Sequence, residues 1–167
     1  MQITLTKDEV LHYASLYDKH RYDDDIEAVM ADAAARGFMD LTDLVTVARW
    51  KWQGGRTAQL VKRNSDADVR EITAVAFSTT NERLRIGALL SLAGVEWPMA
   101  SVILHFAFPN HYPILDVRAM NSVGGSIIYN FDRWINFVRI CRDKRDEYAV
   151  TMRSLDKALW RFDKRRG

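Results

Sequence analysis

The chain has 167 residues, 48% of them hydrophobic and 28% charged, a balance that fits a globular domain and excludes a disordered or low-complexity chain. Its 24 Lys and Arg against 22 Asp and Glu give a net charge of +2, and its single cysteine, Cys141, excludes an internal disulfide, a Cys-rich zinc site and a four-cysteine iron–sulfur cluster within the chain. No apolar run approaches the roughly 20 residues of a membrane-spanning helix, and residues 1–7 lack a basic region followed by a long apolar stretch. No membrane partner and no secretory signal are therefore expected, and a lone cysteine fits the cytoplasm.

The length suits one compact helical domain, or two small lobes sharing a core. The charge runs in a gradient. Residues 1–48 hold 4 Lys/Arg against 10 Asp/Glu (−6), residues 49–132 hold 9 against 7 (+2), and residues 133–167 hold 11 against 5 (+6). A basic C-terminal third attracts a polyanion, nucleic acid first among them, or forms a solvated face.

In chain order the pattern is a succession of helices. Thr6-Lys7-Asp8-Glu9 has capping-box spacing and opens a helix to about residue 19. Asp23-Asp24-Asp25 favours the next start and Gly37 its stop. A third helix covers about 41–52, with Leu41, Leu44, Val45 and Ala48 on one face, and breaks at Gly54-Gly55. A short helix near 58–62 leads to Asn64-Ser65-Asp66, a cap for a helix to about 77. Asn81 caps 82–92, and Pro98 suits the first turn of a helix ending near 108. Another helix begins near Asp116 and stops at Gly124-Gly125. Amphipathic helices over about 126–146 and 149–164 finish the chain, the last turning Leu155, Leu159 and Trp160 inward. Alternating runs of strand length are scarce, so the predicted class is all-α. Cys141 and His105 are expected as packed helix residues. His105 and His111 alone do not make a metal site.

Two of these helices, spanning about 82–108, meet at a tight turn, Gly94-Val95-Glu96, and the second begins Trp97-Pro98. A helix start of this kind presents backbone N–H groups to an anion such as a DNA phosphate. Further on the chain reads His111-Tyr112-Pro113-Ile114-Leu115-Asp116. The whole of residues 89–118 resembles the helix-hairpin-helix DNA glycosylase superfamily, which includes endonuclease III and the mismatch-specific adenine glycosylases. That family's pattern is Leu-Pro-Gly-Val-Gly-x-x-Thr-Ala, an apolar helix, and a loop ending in an apolar pair and an Asp. Here the first hairpin glycine is Gly94, and Asp116 follows it by 22 residues, the family's usual separation. The approach to Asp116 is most similar to that of the adenine glycosylases.

The resemblance implies a helix-hairpin-helix glycosylase-like fold and a monofunctional enzyme that flips a damaged or modified base out of double-stranded DNA and excises it. Asp116 would be the catalytic carboxylate, stabilising an oxocarbenium-like transition state and activating water. Asp is also a good N-cap, and both roles are compatible. Gly94, Val95, Glu96, Trp97, Met99 and Ser101 would bind DNA. Trp50, Lys51, Trp52, Gln53 and Arg56, with Arg118, would form the base pocket, although Trp50 and Trp52 equally suit a core. Lys144, Arg145, Arg153, Lys157, Arg161 and Lys164-Arg165-Arg166 suit a DNA-facing surface or a solvated one.

Two departures stand out. Glu96 replaces the second hairpin glycine, which would strain the backbone if φ there were positive, and it sets a carboxylate near the phosphate site. Pro98 replaces the lysine of bifunctional members, so no Schiff base and no lyase step are expected. No glutamate aligns with the acid that protonates adenine. No cofactor or metal is required, apart from room for a monovalent cation in the hairpin. A non-catalytic hairpin module that binds or adapts to DNA is the alternative reading, and a helical protein-interaction domain is a third.

Overall fold

The computed structural model describes residues 1–17 and 23–166. Local capping chemistry sets most of the helix starts. α1 (Lys7–Ser15) opens at Thr6, whose Oγ1 accepts the Glu9 N–H while the Glu9 carboxylate accepts the Thr6 N–H at 2.8 Å. It ends at Ser15, short of the expected position near 19, which lies outside the described residues. α2 (Asp23–Arg36) closes at Gly37, as expected; the side chains of Asp23 and Asp24 lie outside the described residues. α3 (Leu41–Lys51) has a reciprocal cap that the sequence reading passed over, made by Asp40 and Asp43. Asp43 also bonds Arg36 of α2.

α4 (Arg56–Val61) follows Gly55, α5 (Asp66–Ser78) is capped by Ser65, and α6 (Glu82–Leu90) by Asn81. α7 (Trp97–Ala107) carries Pro98 in its first turn, where a missing N–H costs nothing. α8 (Val117–Ser122) is capped by Asp116. α9 (Phe131–Tyr148) starts later than the expected 126, because Asn130 caps it by accepting the Arg133 N–H and leaves 126–130 as a loop. α10 (Met152–Arg166) ends the chain. All ten elements are helices, and no strand forms among the described residues.

The chain divides into two compact units, Met1–Lys19 with Pro109–Gly167, and His20–Phe108. In the first, α10 packs on α1, α8 and α9. It buries Met152, Leu155, Ala158 and Leu159, while α9 buries Trp134, Phe137, Val138 and Cys141. Both sets follow the helical spacing of an apolar stripe. Trp160 is half-buried, with Tyr17 edge-on at 5.4 Å and the cations of Arg118 and Lys164 over its ring at 5.3 and 5.0 Å.

In the second unit, α7 packs on α2, α3 and α6, and α3 also meets α4 and α5. α7 is its most apolar element, burying every residue from Met99 to Ala107, His105 included. Each large side chain taken fully from water there contributes about 1.5–3 kcal/mol. Among the described residues no helix is long and apolar enough to cross a membrane.

Candidate nucleic-acid interface and active site

The hairpin lies in the His20–Phe108 unit, formed by the end of α6, residues 91–96 and the start of α7. Gly94 takes φ +78°, and a Cβ there would meet Leu60 Cβ at 2.8 Å and the Val61 backbone nitrogen at 2.9 Å. Only glycine fits this conformation and this approach to α4. Asn64 secures the same turn. Its Oδ1 accepts the Ala93 N–H at 2.8 Å, and its Nδ2 donates to the carbonyls of Ala93 at 3.0 Å and Val61 at 2.8 Å. Asn64, read from the sequence as part of a helix cap, is therefore the clamp of the hairpin, while Ser65 alone caps α5.

Glu96 is the N-cap of α7 at φ −95° and ψ 173°, an extended conformation open to any residue. The expected strain is absent; the left-handed position of the turn is Gly94. Glu96 is exposed and makes no side-chain cap bond, so α7 is not closed by its own N-cap. Val95 and Met99 are buried, and Trp97 is half-buried. Ser101 is fully buried and donates to the Pro98 carbonyl at 2.7 Å, so its side chain is not presented to a phosphate. The carbonyls of Leu92 and Ala93 accept from Val95 N–H and Asn64.

In the same unit, a cleft of about 750 Å³ is lined by Asp25, Thr46, Arg49, Trp50, Gln53 and Gln59, with Lys62, Gly55 and Ala58. It falls in the range of small-ligand sites. Of the expected base-pocket residues it takes in Trp50 and Gln53. Trp50 is 8% exposed and packs edge-on against Phe106 at 5.2 Å, so it is a core residue with one edge on the cleft. Lys51 lies over the ring of Trp52, which is half exposed, and Arg56 is exposed on α4; none of the three lines the cleft. Arg49 and Lys62, which sequence reasoning missed, supply its positive charge. Arg118 belongs to the other unit, where it pairs with Asp163 at 3.4 Å and covers Trp160.

Asp116 lies in that other unit, at the end of a firmly anchored approach. Asn110, at φ +70°, accepts the Met152 N–H through Oδ1 at 3.0 Å, and its carbonyl accepts from Arg145. Arg142 donates to the His111 carbonyl at 2.8 Å and sits over the Tyr112 ring. Tyr112 is buried and stacked on Trp134, with an interplanar angle of 8°. Ile114 and Leu115 are buried too, which leaves Asp116 half-exposed at the head of α8. Its Oδ1 accepts the Ala119 N–H at 2.8 Å, fixing the plane of the carboxylate.

After α8 the chain turns back sharply. Gly125 N–H donates to the Met120 carbonyl at 2.8 Å, and a Cβ on Gly125 would meet Met120 Cε at 2.4 Å. The returning loop carries Ile127 and Ile128, 55% and 73% exposed, and then Tyr129. The Tyr129 hydroxyl is buried and has no hydrogen-bond partner among the described residues. Burial, and then the charge of Asp116, push this phenol above its ordinary pKa. An unsatisfied buried hydroxyl costs about 1–3 kcal/mol. No sequence signal marks Tyr129, because its isolation arises only from tertiary packing.

Much of the basic C-terminal third is engaged locally. Lys144 pairs with Glu147, Arg145 with Asp146 and Arg153 with Asp156, and Lys157 and Lys164 sit over aromatic rings. The side chains of Arg165 and Arg166 lie outside the described residues. Cys141 is fully buried, and burial followed by the charge of Asp156 pushes its thiol well above the ordinary range, which makes it packing and not a nucleophile. Among the described residues no group of three His, Cys, Asp or Glu side chains is placed to hold a metal. Compared with protein-family models, curated proteins and solved structures, the chain matches none of them.

Proposed function

We propose that the protein is a monofunctional DNA glycosylase that excises a damaged or modified base through Asp116. The observation that carries this reading is the half-exposed Asp116 carboxylate, fixed in direction by its bond to Ala119 and anchored by the buried Tyr112, Ile114 and Leu115. Breaking an N-glycosidic bond builds positive charge on the deoxyribose, and a preorganised carboxylate beside C1′ stabilises that charge without reorganising. The same group accepts a proton from the attacking water.

Three further features support it. The hairpin, with the uncapped start of α7, suits a phosphate and positions DNA without reading its sequence. The exposed Ile127–Ile128 pair, beside Tyr129 in sequence, suits apolar contact with bases once a duplex is opened. The cleft with Arg49, Lys62, Gln53 and Gln59 has the size and polarity for a nucleotide. Pro98 stands where a Schiff-base lysine would be needed, so the reaction ends at the abasic site.

The test is alkali-dependent strand cleavage. Wild-type protein is incubated with duplexes carrying alkylated purines, deaminated bases or bulky modified pyrimidines, then treated with alkali. Breaks that require both protein and alkali support the reading, and the responding duplex names the base. A non-catalytic DNA-binding module is the second reading, favoured by one observation: the exposed Glu96 carboxylate at the head of α7 opposes a phosphate there. It gives salt-sensitive duplex binding without breaks.

A further inference from the structure

Half of the Lys and Arg residues of the His20–Phe108 unit fall in one stretch that has no acid. Residues 44–65 hold five of them, Arg49, Lys51, Arg56, Lys62 and Arg63, and no Asp or Glu, in a unit whose net charge is −2. Arg49 of α3 and Lys62 at the end of α4 reach the same cleft from two helices. Neither forms an ion pair among the described residues, not even with Asp25, the one acid among the described lining residues. Arg56 opens α4 and Arg63 follows its end, both exposed and likewise without an ion pair among the described residues. Elsewhere in the unit Arg36, Arg70 and Arg85 each have a carboxylate. A cleft lined mainly by one sign of charge focuses the field and draws an ion of the other sign.

An aromatic surface lies beside this charge. Trp52, one residue before the cleft-lining Gln53, is the most exposed of the five tryptophans, at 50%. Its N–H donates to the Ala48 carbonyl at 3.0 Å, which ties its backbone to the end of α3 while the indole stays in solvent. Lys51 stands over the ring at 5.8 Å, and no aromatic ring packs on it among the described residues. In a duplex each base face is covered by its neighbours. An open indole beside a cationic cleft therefore suits a strand whose bases are free to stack.

We propose that residues 49–63 bind an unpaired nucleic-acid strand. The cleft seats one nucleotide between Arg49 and Lys62, Gln59 offers its amide to the base edge, and Trp52 stacks on a neighbouring base. Arg56 and Arg63 meet phosphates outside the cleft. The inference goes beyond the glycosylase reading and needs neither Asp116 nor base release.

The experiment follows the fluorescence anisotropy of labelled thymidine and uridine homopolymers and of a labelled duplex, over a range of salt. Wild-type protein should bind a single strand more tightly than the duplex, with an affinity that falls as salt rises. Preference for thymidine or uridine strands assigns the sugar, and either supports the proposal. Trp52→Ala should weaken single-strand binding about tenfold, and Trp52→Phe should restore much of it. Arg49→Glu with Lys62→Glu should weaken it by about tenfold or more and flatten its salt dependence. All these side chains except Trp52 are exposed charges, and Trp52 is half in solvent, so melting should stay near that of the wild type. Absence of single-strand binding at low salt overturns the proposal, as does tighter binding of the duplex. Loss of binding on charge reversal with none in Trp52→Ala also overturns it, because the stretch would then be a contact for any polyanion. None of these outcomes bears on whether Asp116 releases a base.

Discussion

In the His20–Phe108 unit, the residues that carry the hairpin pattern are taken up by packing. Gly94 presses on Leu60 and Val61, Val95 and Met99 are buried, and Ser101 turns its hydroxyl to its own helix. In the unit made of Met1–Lys19 and Pro109–Gly167, the corresponding effort goes into holding a carboxylate at the surface. Tyr112, Ile114 and Leu115 are buried so that Asp116 stays half-exposed, and a phenol is left unsatisfied on the neighbouring loop. Their charges differ as well. The hairpin unit holds 10 Lys/Arg against 12 Asp/Glu (−2), and the carboxylate unit holds 14 against 10 (+4). One unit commits its special residues to packing, while the other holds a helix-capping carboxylate half-exposed and leaves a buried phenol unpaired among the described residues. Such local departures from the most stable arrangement are where function is sought.

The contrast can be broken from either side. Gly94→Ala should have the largest effect on stability, about 2–4 kcal/mol in urea unfolding, since it adds a strained φ to a close contact with α4. A loss within a few tenths would mean the hairpin is not packed as described. Asn64→Ala should cost about 1–3 kcal/mol by leaving the Ala93 N–H and carbonyl without their partner. Hydrogen exchange at Ala93 should then rise. Reversing the cleft charges, Arg49→Glu with Lys62→Glu, should leave melting nearly unchanged and lower the steepness with which DNA affinity falls with salt. An unaltered salt slope would remove the cleft from the DNA-binding surface.

Smaller effects sharpen the same picture in the carboxylate unit. Thr6→Ala should cost about 1 kcal/mol, the usual loss for an N-cap. The raised pKa of Tyr129 also has a sign that can be tested. The folded protein keeps this proton at a pH where the unfolded chain has begun to lose it, near 10. Stability should therefore fall as pH rises from about 10 towards the folded value. In Tyr129→Phe the alkaline loss should shrink to what the buried Cys141 thiol and other groups contribute, and a loss identical to that of the wild type would contradict the raised phenol pKa.

Caps were the most legible part of the fold. Thr6, Ser65, Asn81 and Asp116 act within three residues of themselves, so sequence spacing is enough to find them. The Asp40–Asp43 box was overlooked although it is equally local. The late start of α9 was misread because Asn130 outweighs the apolar run before it. Asp116 was marked by its spacing from Gly94 and by the apolar pair before it. Asn64 was not legible as a clamp, since Ala93 lies 29 residues further along the chain. Arg49 and Lys62 gave no signal either; they become neighbours of one cleft only when α3 and α4 pack. The strain expected at Glu96 did not arise, because Gly94 alone absorbs the positive φ of the turn.

The central claim is that Asp116 serves both as the cap of α8 and as the reactive carboxylate, and Asp116→Asn separates the two. Asparagine keeps the oxygen that accepts from Ala119 and caps as well as aspartate, so the folded state should be preserved. It has no negative charge to stabilise the sugar cation and is no base for the water, so single-turnover base release should fall by about 10²–10⁴-fold. The decisive measurement is base release by Asp116→Asn on the responding duplex, alongside its melting curve. Lost release at unchanged melting is what the account predicts. Release at the wild-type rate from a folded D116N protein would contradict it.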